Sequence, residues 1–313
     1  MMNSPHLRLY AITQASDAVV FVLGGDWQTD HEGMDRTDIG LPGGQNQLVA
    51  LVMKAAAAKP SVAVLVHGGA MDISGITPLV DGLIDASYPG MHGGQAVAEA
   101  IFGDYNPGGK LPVTIYPGGY TDQVAMTEFS MARPPGRSYR YYNGSTVFPC
   151  FFGLSYTTFS MAWTDLASSG KQPQSMNNAH DNNTVTFGVT IHNTGSVSGS
   201  EVVLAFWRKP GWIHPVDPSY QPLRRQLFGF QRIQLAPGAS AEVYIPLTVD
   251  LLAQIDSQGR RVSVPGAYEI VLSRGSQAPE AELVIPFHIT GGSSRVMEVL
   301  PTGLAPPDTV AAV

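Results

Sequence analysis

Residues 18–36 read Ala18-Val-Val-Phe-Val-Leu-Gly-Gly-Asp-Trp-Gln-Thr-Asp-His-Glu-Gly-Met-Asp-Arg36. The first six are apolar, three of them valine, the composition of a buried strand. The thirteen that follow crowd four carboxylates, an indole, an imidazole and a guanidinium into one loop. A chain leaving a buried strand into such a loop offers general acids, hydroxyl acceptors and a stacking surface where α/β folds bind ligands. These are the groups a sugar site uses.

Working outward, residues 41–58 predict a helix, 61–66 a second strand, 83–86 a third short apolar run, 93–102 a helix and 110–116 another strand. Strands alternating with helices imply an α/β sandwich, a mostly parallel sheet flanked by helices on both faces. The first strand opens near residue 18, so strands that would precede it in such a sheet are expected to be missing. Between residues 118 and 149 periodicity fades into Gly, Pro, Arg and Tyr, the composition of a long ordered loop over a site or an interface. Arg137, Tyr139, Arg140, Tyr141 and Tyr142 supply its contacts.

Past residue 160 the period changes. Residues 168–183 are rich in Ser, Gln, Asn and Gly, and then residues 185–192, 199–207, 241–246 and 266–273 alternate as short strands between Asn193-Thr-Gly195, Pro237-Gly238 and Pro265-Gly266. That pattern predicts an all-β sandwich. The resulting division is an α/β sandwich domain over 1–160, a linker over 161–183, a β-sandwich over 184–290 and a disordered tail over 291–313.

At 313 residues the chain is long enough for two cores. With 44% hydrophobic and 14% charged residues it is globular rather than disordered. A net charge of −7 without a basic run speaks against nucleic acid and against an anionic membrane surface, whereas a neutral polyhydroxylated ligand is compatible. The single cysteine, Cys150, excludes an internal disulfide framework and a thiolate metal cluster, and reads as a core or loop thiol. No apolar stretch reaches the roughly 18 residues of a membrane span, and residues 1–14 lack the apolar core of a secretory signal. Asn143-Gly-Ser and Asn182-Asn-Thr fit the glycosylation acceptor pattern and lean toward secretion.

The loop after the first strand is one of six blocks in a fixed order. The others are Leu41-Pro-Gly-Gly44, Ser87-Tyr-Pro-Gly90, Asn106-Pro-Gly-Gly-Lys-Leu-Pro-Val-Thr114, Gly136-Arg-Ser-Tyr-Arg-Tyr-Tyr142 and Phe152-Gly-Leu-Ser-Tyr-Thr-Thr-Phe159. Together they resemble the C-terminal half of glycoside hydrolase family 3, in its β-xylosidase and α-arabinofuranosidase branch. Asn193-Thr-Gly195, Leu227-Phe-Gly-Phe230 and Pro265-Gly-Ala-Tyr268 resemble the fibronectin type III-like domain that closes many such enzymes.

Retaining glycoside hydrolysis needs two carboxyl groups, a nucleophile and a general acid that later acts as base. The resemblance implies that an N-terminal TIM barrel, roughly 250 residues of fold, lends the nucleophile and the α/β sandwich lends the acid. No such barrel is legible in this chain, so the nucleophile is expected to be absent and a separate barrel domain becomes a candidate partner. The branch's loop pattern falls on Asp26, Asp30, Glu32, Asp35 and Arg36. Glu32 matches the second of its paired glutamates and is the preferred acid/base. Asp30, one methylene shorter than the first of that pair, is the second candidate; the shortened reach impairs it if it is the acid.

Asp35 and Arg36 either form an ion pair that fixes the loop or contact sugar hydroxyls. Asp26 is a further substrate-binding candidate. Trp27 either stacks on a pyranose ring or packs against the core. His31 either donates to a hydroxyl or to Glu32, or is merely exposed, and it has no metal partners at ligand spacing, so neither a metal nor a cofactor is expected. His67-Gly-Gly69 and Asn106-Pro-Gly-Gly109 read as structural turns. The family carries glycine where this chain has Phe151; if that position takes positive φ, phenylalanine is strained there and the local loop is expected to differ.

Two functions stand against each other. One is an exo-β-xylosidase-like hydrolase acting on a xylo-oligosaccharide or related glycoside, with this chain supplying the acid/base. The other is a non-catalytic carbohydrate-binding or scaffold remnant of such an enzyme. A nucleotide-binding α/β protein is a third reading, but neither a Walker loop nor Gly-x-Gly-x-x-Gly follows a strand. The resemblance implies an extracellular enzyme.

Overall fold

A computed structural model describes residues 5–29, 31–165, 172–179, 183–214, 218–275 and 282–299. The chain divides into two compact units, one of Met1–Phe129 with Asn143–Ser155, the other of Ser130–Tyr142 with Tyr156–Val313. Residues 130–142 group with the second unit although they precede the last segment of the first.

The first unit opens on a helix, α1 (Pro5–Ala15), that the sequence did not signal because its apolar residues follow no single face. Lys59 Nζ holds its end, donating to the carbonyls of Thr13 at 3.0 Å and Gln14 at 2.6 Å. Strand β1 (Val19–Gly24) follows, then helix α2 (Gln45–Ala56), strands β2 (Ser61–Val66) and β3 (Gly82–Asp85), and helix α3 (Gly93–Phe102). Helix α2 begins four residues later than position 41, where Pro42 and the positive φ of Gly43, 62°, keep the chain out of the helix. It buries Val49, Val52, Ala55 and Ala56, three or four residues apart, as one face.

The three strands pair in parallel in the order β1-β2-β3, with Val19 opposite Ser61 and Leu65 opposite Asp85. Strand β1 is not buried on both faces as expected: Phe21 and Leu23 join a core with Val49, Val52, Ala63 and Leu65, while Val20 and Val22 are 53% and 72% exposed. The strand expected over 110–116 does not form. Pro112 lacks the N–H a ladder needs, and what remains is the bridge between Ile115 and Phe148, with Leu111 and Phe151–Phe152 bonded beside it. Phe151 itself adopts φ 70°. Phenylalanine takes the left-handed conformation here, its N–H held by the Leu111 carbonyl at 2.7 Å, so the strained case set out above is the one present.

The second unit starts with the short helix α4 (Ser138–Tyr141) and strands β4 (Phe159–Trp163), β5 (Ser175–Asn177), β6 (Thr184–Asn193) and β7 (Gly199–Arg208). It continues with β8 (Gln226–Leu235), β9 (Ser240–Thr248), β10 (Gln254–Ile255), β11 (Arg260–Ser263), β12 (Gly266–Ser273), β13 (Glu282–Thr290) and β14 (Arg295–Val299). A five-stranded sheet, β5-β13-β12-β7-β8, and a three-stranded sheet, β4-β6-β9, enclose a core in which Phe187, Val189, Ile191, Trp207, Tyr268 and Ile270 are essentially inaccessible. Period-two burial on β9, where Val243, Ile245 and Leu247 are buried between more exposed neighbours, is what the alternation predicts, whereas β12 is buried without a break from Ile270 to Ser273.

Two expected irregular segments contain strands. Within the linker, β4 and β5 complete the sheets, because Met161 and Met176 alternate inward; residues 166–171 and 180–182 lie outside the described residues. Within the tail, β14 pairs with β11, Arg261 opposite Glu298; residues 300–313 lie outside the described residues. No helix among the described residues is long and apolar enough to cross a membrane.

Candidate functional site

Because β1, β2 and β3 run parallel, their C-terminal ends share one edge of the sheet, where ligands of such sheets bind. Gly24 ends β1 at φ 136°, and a Cβ there would lie 1.8 Å from the Val66 carbonyl oxygen, so only glycine passes. Gln45, the first residue of α2, then fixes the strand end: its Oε1 accepts from Gly24 N–H at 2.8 Å and its Nε2 donates to the Gly24 carbonyl at 2.7 Å. The Gly25 N–H is taken by the Val66 carbonyl at 3.1 Å.

Beyond this anchor the loop organises itself. Asp26 Oδ1 accepts from Gln28 N–H and Thr29 N–H, both at 3.1 Å, and from the Thr29 hydroxyl at 2.9 Å. That hydroxyl is the main reason its pKa lies below the ordinary aspartate value. Asp26 shapes the turn. Met34 N–H donates to the His31 carbonyl at 2.9 Å and His31 N–H to the Met34 carbonyl at 3.3 Å, which puts Glu32 and Gly33, φ 84°, at the tip of a tight reversal. Glu32 and Asp35 are exposed. Asp30 lies outside the described residues.

Trp27 is 71% exposed, with its ring 6.1 Å from that of His31, so it is not core packing. Arg36 turns inward instead of pairing with Asp35. Its guanidinium donates to the Gly40 carbonyl and lies 3.6 Å from Asp38, whose Oδ1 also accepts from Gly40 N–H at 2.8 Å. The ion pair that fixes the loop therefore uses Asp38. Sequence neighbours in an extended segment point to opposite sides, which favours the i, i+2 partner.

A buried pair at the same edge went unread. His67, at the end of β2, is 4% exposed, and its Nε2 lies 3.3 Å from Oδ1 of Asp85 at the end of β3. Asp85 raises the pKa of His67 through this hydrogen bond and through its charge, against the opposing effect of burial. Burial works against the Asp85 carboxylate too, but His67 and the N–H and hydroxyl of Ser87 outweigh it and hold its pKa below the ordinary value. The His67 N–H donates to the Ser87 carbonyl at 3.2 Å, and the Tyr88 ring lies against Gly68, where a Cβ would approach it to 2.7 Å. The signal was present: Asp85 is an ionisable residue within an apolar run, and it needs a partner.

An α/β unit whose parallel strands deliver an acidic, aromatic loop, continued in the chain by a β-sandwich, is the class of protein that fold and site define. Residues 6–156 match the glycosyl hydrolase family 3 C-terminal domain and residues 201–276 the fibronectin type III-like domain, so the chain carries a family 3 C-terminal domain followed by a fibronectin type III-like one. It is 33% identical over 299 residues to a probable exo-1,4-beta-xylosidase of Aspergillus oryzae, covering 91% of this chain and 36% of the relative. Against Beta-D-xylosidase 1 of Arabidopsis thaliana it is 35% identical over 286 residues, covering 83% of this chain and 36% of the relative. Among solved structures, a family 3 exo-beta-xylosidase in complex with a xylobiose aziridine activity-based probe superposes with a TM-score of 0.81 at 29% identity, covering 94% of this chain and 38% of that one. The chain thus spans a little over a third of the length of the relatives it matches.

Proposed function

We propose that this chain supplies the proton-donating part of a retaining exo-β-xylosidase, with Glu32 as acid/base, and that the nucleophile belongs to a barrel domain outside the residues described. The observation that carries the reading is the position of Glu32, exposed at the tip of a reversal whose root is clamped at the C-terminal edge of a parallel sheet. A general acid must reach a leaving oxygen held by another domain, and an exposed carboxylate on an anchored loop meets that requirement. Asp30 is the second candidate for the role. Trp27 and His31 form the flank that faces the sugar, Asp35 contacts hydroxyls, and Asp26 and Arg36 keep the loop in shape. The substrate is a xylo-oligosaccharide or related glycoside, and the location is extracellular.

We infer further that the three parallel strands are the centre of a larger, mostly parallel sheet flanked by helices. Support comes from β1, which ends the described strand order and so leaves an edge for a further strand, and from its exposed Val20 and Val22, an apolar face that a flanking helix would cover.

Hydrolysis of a chromogenic β-xyloside tests the proposal. The chain alone is expected to be inert and to become active with a family 3 barrel; turnover by the chain alone contradicts it. The reading as a non-catalytic carbohydrate binder rests on the exposure of Trp27 and predicts no turnover under either condition.

A further inference from the structure

Past the end of β7 the chain turns at once. Trp212 N–H donates to the Lys209 carbonyl at 3.1 Å across Pro210-Gly211, and proline followed by glycine at φ 72° is the pattern of a type II turn. Lys209 and Trp212 then wall an open recess of about 480 Å³, together with Arg208, Arg224 and Glu269, all within the second unit. The wall is held in place. Trp212 Nε1 donates to Gln254 Oε1, Arg224 N–H donates to the Arg140 carbonyl at 2.8 Å, and the Arg224 guanidinium donates to the Tyr142 carbonyl.

Of the charged side chains in that wall, Arg208, Lys209 and Arg224 are cations and Glu269 is the one anion. Glu269 lies opposite Arg208 on the paired strands β12 and β7 and is taken by its guanidinium. Lys209 and Arg224 meet no carboxylate among the described residues. The Lys209 ammonium rests 4.8 Å from the centre of the Tyr268 ring, and its 3.4 Å hydrogen bond goes to a Tyr268 hydroxyl already bonded to the Val264 carbonyl and to Gln254 Nε2, each at 2.8 Å. An ammonium carries three donors, so Lys209 has donors to spare. Burial draws its pKa below the ordinary lysine value, as it does for a cation that no anion offsets. None of the three cations is sealed behind the wall: the Arg208 side chain is 41% exposed, Arg224 is exposed and Lys209 is half-buried. In a chain of net charge −7 this is a local reversal of sign.

We propose that this recess binds a sugar carboxylate, a hexuronate ring whose acid group lies between Lys209 and Arg224 and whose face lies against Trp212. Ammonium and guanidinium groups hold carboxylates by charge-assisted hydrogen bonds, and an indole offers a flat apolar face to a pyranose. Neither cation has to give up a carboxylate partner to take the ligand. The site is separate from the acidic loop of the first unit, whose own carboxylates repel such a ligand, and it does not depend on the role assigned to Glu32. Its role is to retain glycosides that carry acidic substituents.

Calorimetry and saturation-transfer NMR on the full chain test it, with glucuronate, its neutral counterpart glucose, and acetate and inorganic phosphate as anions without the ring. Glucuronate is expected to bind in the millimolar range, at least about tenfold more tightly than each of the other three, and less tightly as salt is added. Lys209→Met is expected to raise the glucuronate Kd about tenfold and to leave the thermal midpoint near that of the parent, and Lys209→Arg to keep the binding. Glucose binding as tightly as glucuronate would show that the charge is not read, and acetate or phosphate doing so would show that the ring is not; either overturns the proposal. So does the absence of glucuronate binding in the millimolar range, or an unchanged glucuronate Kd in Lys209→Met. The comparison of ligands is made on the parent chain, so it stands whatever the stability of the variants.

Discussion

The carboxamide of Gln45 satisfies both backbone groups of Gly24, accepting from its N–H and donating to its carbonyl, so the first residue of α2 secures the last residue of β1. This reciprocal clamp sets where the acidic loop leaves the sheet. Gln45→Leu leaves two half-buried groups unmatched and is expected to destabilise the first unit by about 1–3 kcal/mol. Gly24→Ala is expected to cost more, about 3 kcal/mol or above, since its φ of 136° belongs to glycine and the added methyl meets Val66 oxygen. Urea midpoints of the two variants check both; a Gly24→Ala midpoint equal to the parent's would mean the strand end is not as described.

The buried pair at the neighbouring strand ends gives a pH dependence with a definite sign. His67 binds its proton more readily folded than unfolded, so its contribution is complete below about pH 6.5, the unperturbed histidine value, and is lost as pH rises through the higher folded value. Asp85 behaves oppositely: its contribution is complete above about pH 3.9 and is lost as pH falls through its lower folded value. Stability of the first unit is therefore expected to be greatest between these limits and to decline on the alkaline side. His67→Asn is expected to flatten that decline, as read by urea midpoints on either side of neutrality; an unchanged slope means that another group titrates there.

Arg36 and Asp35 are adjacent but predicted to differ in consequence. Arg36→Met removes a guanidinium that bonds the Gly40 carbonyl and faces Asp38, and is expected to cost about 1.5–3 kcal/mol. Asp35→Asn, at an exposed position, is expected to stay within about 0.5 kcal/mol of the parent. Hydrogen exchange over residues 31–40 should report loosening in the first variant alone.

How much of this was legible in the sequence follows from what each signal depends on. Strand and helix identity in the first unit came from local period, and β2, β3 and α3 lie where it put them. The strand over 110–116 was misread because apolar composition was weighed without the missing N–H of Pro112. Strands β4 and β14 were hidden in segments whose polar flanks read as linker and tail, since pairing partners far along the chain decide such short strands. The site loop was legible as a unit, but the partner of Arg36 and the meeting of His67 with Asp85 were not. Both depend on which strand ends lie side by side.

Phe151 offers a test of stored strain. Glycine is ordinarily about 0.5–1 kcal/mol worse than alanine, yet at φ 70° the order reverses. Phe151→Gly is therefore expected to be more stable than Phe151→Ala by about 1 kcal/mol, both having lost the same ring. Paired thermal melts decide it, and the ordinary order would show that the residue does not hold this conformation in solution.

The central claim is that Glu32 passes a proton to the leaving group. Its most direct measurement is hydrolysis of aryl β-xylosides, one with a poor and one with an activated leaving group, by this chain combined with a family 3 barrel, as parent and as Glu32→Gln. The account predicts a loss of about 10²–10⁴-fold on the poor leaving group and a much smaller one on the activated aryl group, which departs without protonation. Equal losses on both substrates, or this leaving-group pattern in Asp30→Asn instead, would contradict it.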